Sequence, residues 1–348
     1  MSSTVQLATV PSADTPGTTV YFHHEKRSYV FGRVAEGTQR AFGSRKIHFG
    51  GTEHVFLSGV VGWESMGGLL GFMLSVGAAL EGQDGGAEEG KKAKKMERSG
   101  LVIHGGENLS HVLASCRPVI LHQQFRVRIS EHRDDPRGDN PSLTAPDWQD
   151  ENISVWKLPV RREPYPSRKR THQGIDATQA HPLPNPSDPL PAKMLVEGLM
   201  FHGAKSSPSL RARKLSDVDP TIDHPILVQD NLTLRRPRPQ DPPDKTTAWL
   251  MAPPSPKDLP DANPLRLNLP PTTPSQTSTS YMVKCHDRRG KFNPTAAKAL
   301  GVDRTDFKLL AAGQSITTSS GSLTSPRKNT SPPSSPARNG PTMPSWPT

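Results

Sequence analysis

The chain has 348 residues, 32% of them hydrophobic and 5% aromatic, with 37 prolines and a formal charge of +10. The length would allow two average domains, but that hydrophobic content is too low to fill two cores. Prolines number 3 in residues 1–130, 26 in 131–280 and 8 in 281–348. Only the first 130 residues therefore promise a continuous core, and most of the rest lacks the apolar burial to offset its ordering entropy.

Residues 1–17 are predicted to be a disordered N-terminus. Thr18–Phe22 and Tyr29–Gly32 read as two strands around a charged turn, and Glu36–Phe42 as a loop entering a helix. Val55–Leu57 is a third strand; it runs into a glycine-punctuated turn and then an apolar helix over Gly67–Leu80, too short to span a bilayer. Residues 81–100 read as an insertion with four lysines at 91–95. Leu101–His104 is a strand, Gly105–Gly106 a turn, and Asn108 or Ser110 a cap for a short helix to Cys116. Gln124–Ser130 alternates apolar and polar residues, as a half-buried strand does. Strands alternating with helices predict a layered α/β domain.

Beyond Glu131 the signals thin out. Ile153–Val160 reads as a strand, Ala192–His202 as a helix with Met194, Leu195 and Leu199 on one face, and 205–275 mostly as loop. Ser280–Val283 is a further strand. Asn293–Gly301 has helix punctuation: Asn293 as cap, Pro294 at the first position, Gly301 as terminator. The Ser/Pro-rich stretch 317–348 is predicted disordered, with Ser-Pro steps at Ser325, Ser331 and Ser335 that suit proline-directed phosphorylation.

Several chemistries are excluded by spacing. Cys116 and Cys285 are the two cysteines, far apart and without C-x-x-C, which rules out a disulfide framework and a cysteine zinc site. None of the 13 histidines forms H-x-H or H-x-x-x-H, so they read as scattered structural or surface residues. Glu64 reads as a solvated loop carboxylate. Ser58 precedes a glycine, but no G-x-S-x-G elbow is present, and neither glycine pair is followed by the Lys-Ser/Thr of a phosphate loop. The first twenty residues hold one charge, Asp14, and form neither a secretory signal nor a clear presequence. A pI near 9.7 fits a polyanionic partner or simply a solvated surface. The run Arg161, Arg162, Arg168, Lys169, Arg170, with Tyr165 among them, fits RNA contact, an import signal or a plain basic loop. Arg288, Arg289 and Lys291 form a second basic patch before a helix, more readily a solvated turn than an RNA contact.

Three segments carry a resemblance. They are Tyr29–Phe42 with its Glu36-Gly37-Thr38-Gln39-Arg40 motif; Val55–Gly71 with Leu57-Ser58-Gly59, Trp63, Glu64 and Gly67-Gly68-Leu69; and Ser280–Ile316. In that order they resemble the amino-terminal half of long-form tRNase Z of fungal type, in the metallo-β-lactamase superfamily. The superfamily carries His-x-His-x-Asp-His in the turn after the third strand; here the turn from Ser58 to Gly68 holds neither histidine nor aspartate. The sequence departs from the family at Ala35, where glycine is usual, at Asp303–Phe307, which lacks a Gly-Pro step, and after Ile316.

The resemblance implies a degenerate α/β sandwich half of αββα type. Its parts would be 18–160 and 278–316, with 161–277 inserted as a basic, proline-rich, partly disordered arm. It implies a chain inactive alone that binds precursor tRNA and docks on a zinc-dependent catalytic half in the same or another polypeptide. No cofactor is expected in this chain, and zinc belongs to the family's catalytic half. Nucleus or mitochondrion is the implied location, the nucleus or cytoplasm being favoured by the missing presequence. The alternative is a non-catalytic module for general RNA or protein binding.

Overall fold

The structure is a computed structural model that describes residues 3–24, 27–84, 100–120, 125–132, 145–161, 188–203, 209–220, 222–252, 267–286, 293–312, 314–317 and 323–324. These group into two compact units, one drawn from residues 1–148 and 155–282 and the other from 149–154 and 283–348.

The first unit begins with a meander of β1 (Ser3–Thr9), β2 (Thr19–His24) and β3 (Arg27–Gly32), antiparallel throughout. Helix α1 (Thr38–Ser44) leads to β4 (Thr52–Leu57), parallel to β3. After β5 (Gly59–Val60), the short α2 (Trp63–Met66) and α3 (Leu69–Asp84), the chain returns as β6 (Gly100–Gly105). Helix α4 (Leu109–Ser115) then crosses to β7 (Arg126–Glu131), and the sheet runs β1-β2-β3-β4-β6-β7 with β4, β6 and β7 parallel. Each parallel step carries a helical crossover, as parallel pairing requires.

Strand alternation gives this sheet two faces. Val30, Val55, Leu57, Leu101, Ile103, Val127 and Ile129 point to the helices and join Phe42, Leu69, Phe72, Met73, Val76, Leu109 and Leu113 in one core. Phe42 and Phe72 meet edge to face at 5.0 Å. Each such fully buried aromatic contributes about 1.5–3 kcal/mol by burial. The stretch Trp63–Leu80 is long and apolar enough to cross a membrane by composition, but Leu69, Phe72, Met73 and Val76 lie buried in this core.

The N-terminus departs from expectation, since residues 3–9 form an edge strand rather than a disordered tail. The first five residues of β1 are exposed, so its own sequence holds no burial signal; the ladder to β2, with Val5 opposite Phe22 and Leu7 opposite Val20, orders it. Helix α4 also differs in detail. Asn108 does not cap it by side chain but adopts a left-handed φ of 72°. Glu131, at the end of β7, accepts the backbone N–H of Asn108 and of Ser110 at 2.9 Å each. A carboxylate at a helix start also opposes the positive end of its dipole.

The chain continues as β8 (Trp148–Gln149) and β9 (Ile153–Arg161), then α5 (Pro189–Met194), extended by a π-helical turn over Leu195–Met200. Asp188 caps α5 by accepting from Leu190 N–H, and Pro189 takes the first position, where no N–H is needed. The expected helix is therefore present, but it is not part of a separate arm. Ala192, Leu195, Val196, Leu199, Met200 and Phe201 are buried in the main core. The outward N–H groups of β7 are also satisfied from here: Val127 donates to the Phe201 carbonyl at 3.1 Å, and Ile129 to Glu197 at 2.6 Å. An open sheet edge needs such cover. Burial raises the Glu197 carboxyl above its ordinary pKa despite this bond.

The region expected to be mostly loop holds more order. A ribbon of β10 (Ser209–Lys214) against a later strand encloses the small pair β11 (Leu227–Val228) and β12 (Leu234–Arg235); the ribbon's second strand is β13 (Thr247–Ala252). Val218, Leu227 and Ala248 form its own small core. Apolar residues spaced this far apart leave no periodic signal in sequence. Strand β14 (Thr277–Cys285) completes a second sheet ordered β5-β14-β9-β8.

The second unit takes over from residue 283. It holds α6 (Pro294–Ala299), α7 (Phe307–Ala312) and a pair, β15 (Ile316–Thr317) with β16 (Leu323–Thr324). Asn293 caps α6 as its punctuation predicts, accepting from the N–H of Thr295 and Ala296. Ala297, Val302 and Leu310 give this unit a core of its own, which explains the division.

Candidate functional site

Ligands of open parallel α/β sheets bind at the carboxyl ends of the strands, here the ends of β4, β6 and β7. The turn after β4 is closed by ordinary packing. Gly59 pairs with Thr279 and Val60 with Ser278 on β14. Ser65 donates to the Val60 carbonyl at 2.6 Å and accepts from Gly62 N–H. Gly68 abuts the chain before α1: its N–H donates to the Val34 carbonyl at 3.1 Å, and a methyl group placed on it would lie 2.1 Å from the Ala35 carbonyl oxygen. Thr279 is fully buried and bonds His132 Nε2 at 2.8 Å. Tyr281 donates its hydroxyl to the Leu57 carbonyl at 3.1 Å.

The residues present do not fit a zinc ion. Zinc needs three or four converging nitrogen, sulfur or carboxylate ligands. Among the described residues, no three His, Cys, Asp or Glu side chains come together. Glu64 is exposed on the turn, as a solvated carboxylate would be.

The Glu36–Arg40 motif serves the scaffold. Gly37 has a φ of 81° where the chain enters α1, a turn that favours glycine. Thr38 is buried, and Gln39 reaches across to donate to Ser75 on α3 at 2.5 Å. Glu36 and Arg40 are exposed.

The structure assembles one cluster that histidine spacing did not show. On the face of the six-stranded sheet away from the helices, His54 of β4 and His104 of β6 meet, Nδ1 to Nε2, at 3.2 Å. Phe56 stacks on His104 at 4.2 Å, and Trp148 sits 4.4 Å from His54. Phe31 and Tyr281 extend the aromatic layer to the second sheet. Lys157 of β9 donates to Ser130 at 3.2 Å, and its backbone N–H is held by Asp147. Burial, then the neighbouring His54, Lys157 and His132, push the His104 pKa well below its ordinary value. His132 is lowered to about 4, chiefly by burial and then by Lys157. Burial lowers the Lys157 pKa and raises that of Tyr281. The imidazoles of the cluster are held neutral in a desolvated layer beside the Lys157 ammonium. With two imidazoles in contact it supplies neither a ligand set nor a nucleophile aligned with a base. The signal for it was the parallel register, which sets Phe56 beside His104 and so brings His54 diagonal to His104.

Of the basic candidates, Arg161 is exposed at the end of β9. Arg162, Tyr165, Arg168, Lys169, Arg170, Arg288, Arg289 and Lys291 lie outside the described residues, as do the lysines at 91–95 and Ser325, Ser331 and Ser335. The structure adds cations not singled out before. Arg213 and Lys214 are exposed on β10, and Arg238 and Lys245 on the loops between β12 and β13. Arg235 forms a two-pronged bond to Asp241 at 2.7 and 2.8 Å, which holds the Asp241 carboxyl down at about 2.

The comparisons with known proteins agree with the resemblance. Residues 6–68 match the family model described as tRNase Z endonuclease. The chain is similar to Ribonuclease Z 1 of Schizosaccharomyces pombe, 23% identical over 374 residues, covering 93% of this chain and 38% of that protein. It is also similar to Ribonuclease Z of Saccharomyces cerevisiae, 30% identical over 111 residues, 32% of this chain and 11% of that one. The chain thus spans about two fifths or less of the relatives it matches. Among solved structures it is similar to a long-form RNase Z from yeast, with 19% identity, a TM-score of 0.44, and coverage of 82% of this chain and 27% of that one. Human tRNase Z, short form, gives 13% identity and a TM-score of 0.30, over 44% of this chain and 58% of that one. The chain is thus similar to ribonuclease Z proteins over part of their length, has a layered α/β fold, and carries in residues 6–68 the segment matched by the tRNase Z endonuclease model.

Proposed function

We propose that this chain acts as the ligand-free half of a tRNA 3′-processing endoribonuclease, contributing precursor-tRNA binding and docking to a zinc-dependent catalytic half. The observation that carries the reading is the turn Ser58–Gly68. It keeps the family's strand, glycines and helix but has neither histidine nor aspartate, and Thr279, Tyr281 and the Ala35 backbone pack around it. A scaffold retained without its ligands retains a task other than metal chemistry. The exposed cations Arg161, Arg213, Lys214, Arg238 and Lys245, on a chain of net charge +10, supply phosphate contacts for that task.

The test compares the affinity of the full chain for a structured precursor tRNA and for an unstructured RNA of equal length at matched salt. Preference for the tRNA, together with co-purification with a catalytic tRNase Z half, supports the proposal. Equal affinity for both RNAs would sink it and leave the general RNA-binding module, because phosphate attraction alone does not discriminate shape. In either case Arg213→Ala with Lys214→Ala weakens binding across RNAs and lowers the salt slope by about two.

A further inference from the structure

Two planar groups stand on the emptied turn, each over a glycine. Trp63 is 73% exposed, the most exposed aromatic of the described large side chains. Its indole lies against Gly67: a methyl group there would come within 3.0 Å of Cε2 and 3.1 Å of Cδ2, and 2.9 Å from the Trp63 carbonyl oxygen. One part of the ring is thus seated on backbone while the rest faces solvent. The Arg33 guanidinium lies over Gly59, whose φ is 89°; a methyl group there would touch Nε at 3.4 Å. Arg33 is itself exposed. Gly59 and Trp63 are four residues apart, a span of at most about 14 Å of chain.

We infer that Trp63 and Arg33 form a stacking platform for single-stranded RNA, the indole taking a base and the guanidinium the adjoining phosphate or a second base. Aromatic faces accept any base, and arginine adds cation–π and phosphate contact, so this pair suits an unpaired stretch rather than a duplex. The platform rests on the RNA-binding reading above and deepens it by naming the class of RNA. Exposed Glu64 sits beside Trp63 and opposes phosphate, which sets a useful control.

The experiment uses the full chain and two probes: an unpaired adenosine decamer and a blunt RNA hairpin without unpaired ends. Affinities are measured for the wild type, Trp63→Ala, Trp63→Phe, Arg33→Ala and Glu64→Gln, with circular dichroism to verify folding. Trp63→Ala is expected to weaken decamer binding roughly tenfold. It should leave the hairpin unchanged, with Trp63→Phe recovering most of the loss and Glu64→Gln binding more tightly. Decamer binding unchanged in Trp63→Ala and Arg33→Ala would overturn the platform and assign the exposed indole to a protein contact, leaving RNA binding intact. A wild type that binds neither probe nor precursor tRNA would overturn the RNA-binding reading itself.

Discussion

The two faces of the six-stranded sheet are built from the same strands and have opposite characters. The helix face is mostly apolar, with Val55, Leu57, Leu101, Ile103, Val127 and Ile129 against Phe42, Phe72 and Leu113, and a buried hydroxyl pair, Tyr21 with Ser28, among the polar groups it holds. The inter-sheet face places His54, His104 and Ser130 in alternation with them, met by Lys157, Trp148 and Tyr281. The first is stabilised mainly by burial of apolar side chains. The second holds titratable groups out of water, so it is stable only while they are neutral or paired. The polarity of the second layer is sustained by local hydrogen bonds and aromatic stacking.

The comparison breaks most visibly on the helix face. Phe72→Ala leaves a cavity under α1 and α3 and is expected to cost about 3–5 kcal/mol, read from the urea midpoint, with no change between pH 5 and pH 8. If its cost depended on pH, the separation of the two faces would be wrong.

The inter-sheet face gives the second effect. His132 is neutral in the fold, with its pKa lowered to about 4, and His104 is lowered as well. An unfolded histidine takes its proton near pH 6.5, so below that pH the unfolded chain binds more protons and stability falls as the solution is acidified. The contribution is full above about pH 6.5 and is lost as pH drops toward 4, on the order of 3 kcal/mol for His132 alone. Denaturant titrations from pH 7.5 to 4.5 should show that slope, and His132→Asn should flatten it. A wild-type profile that is level over this range would refute the neutral, desolvated imidazoles.

A smaller effect lies where the faces meet, at the end of β7. Glu131→Ala removes the acceptor for two N–H groups of α4 and should cost about 2 kcal/mol, with Glu131→Gln recovering part of it. Amide exchange at Asn108 and Ser110 reports it directly, and unchanged protection there would show that another group caps the helix.

Local signals in the sequence were read well where they are local in physics. The strands at 19–24, 27–32, 52–57, 100–105 and 126–131 and the capped helix at 294–299 follow from alternation, turn residues and an Asn-Pro start. The emptied turn was legible for the same reason, since the absence of histidine and aspartate over Ser58–Gly68 needs no structure to see. The edge strand at 3–9 and the ribbon 209–252 were not legible, because exposed or widely spaced residues order only against a partner. Trp63 was visible as a motif residue, but its exposure was not.

By itself, then, the sequence determined the layered α/β class, the order of its central elements and a turn from Ser58 to Gly68 without histidine or aspartate, all properties of neighbouring residues. Only the tertiary structure decided that His54 and His104, 50 residues apart, share one buried layer, that residues 188–203 close the edge of β7, and that Trp63 stands in solvent. Those outcomes depend on which distant strand or helix arrives to supply a partner, and packing settles that for the whole chain at once.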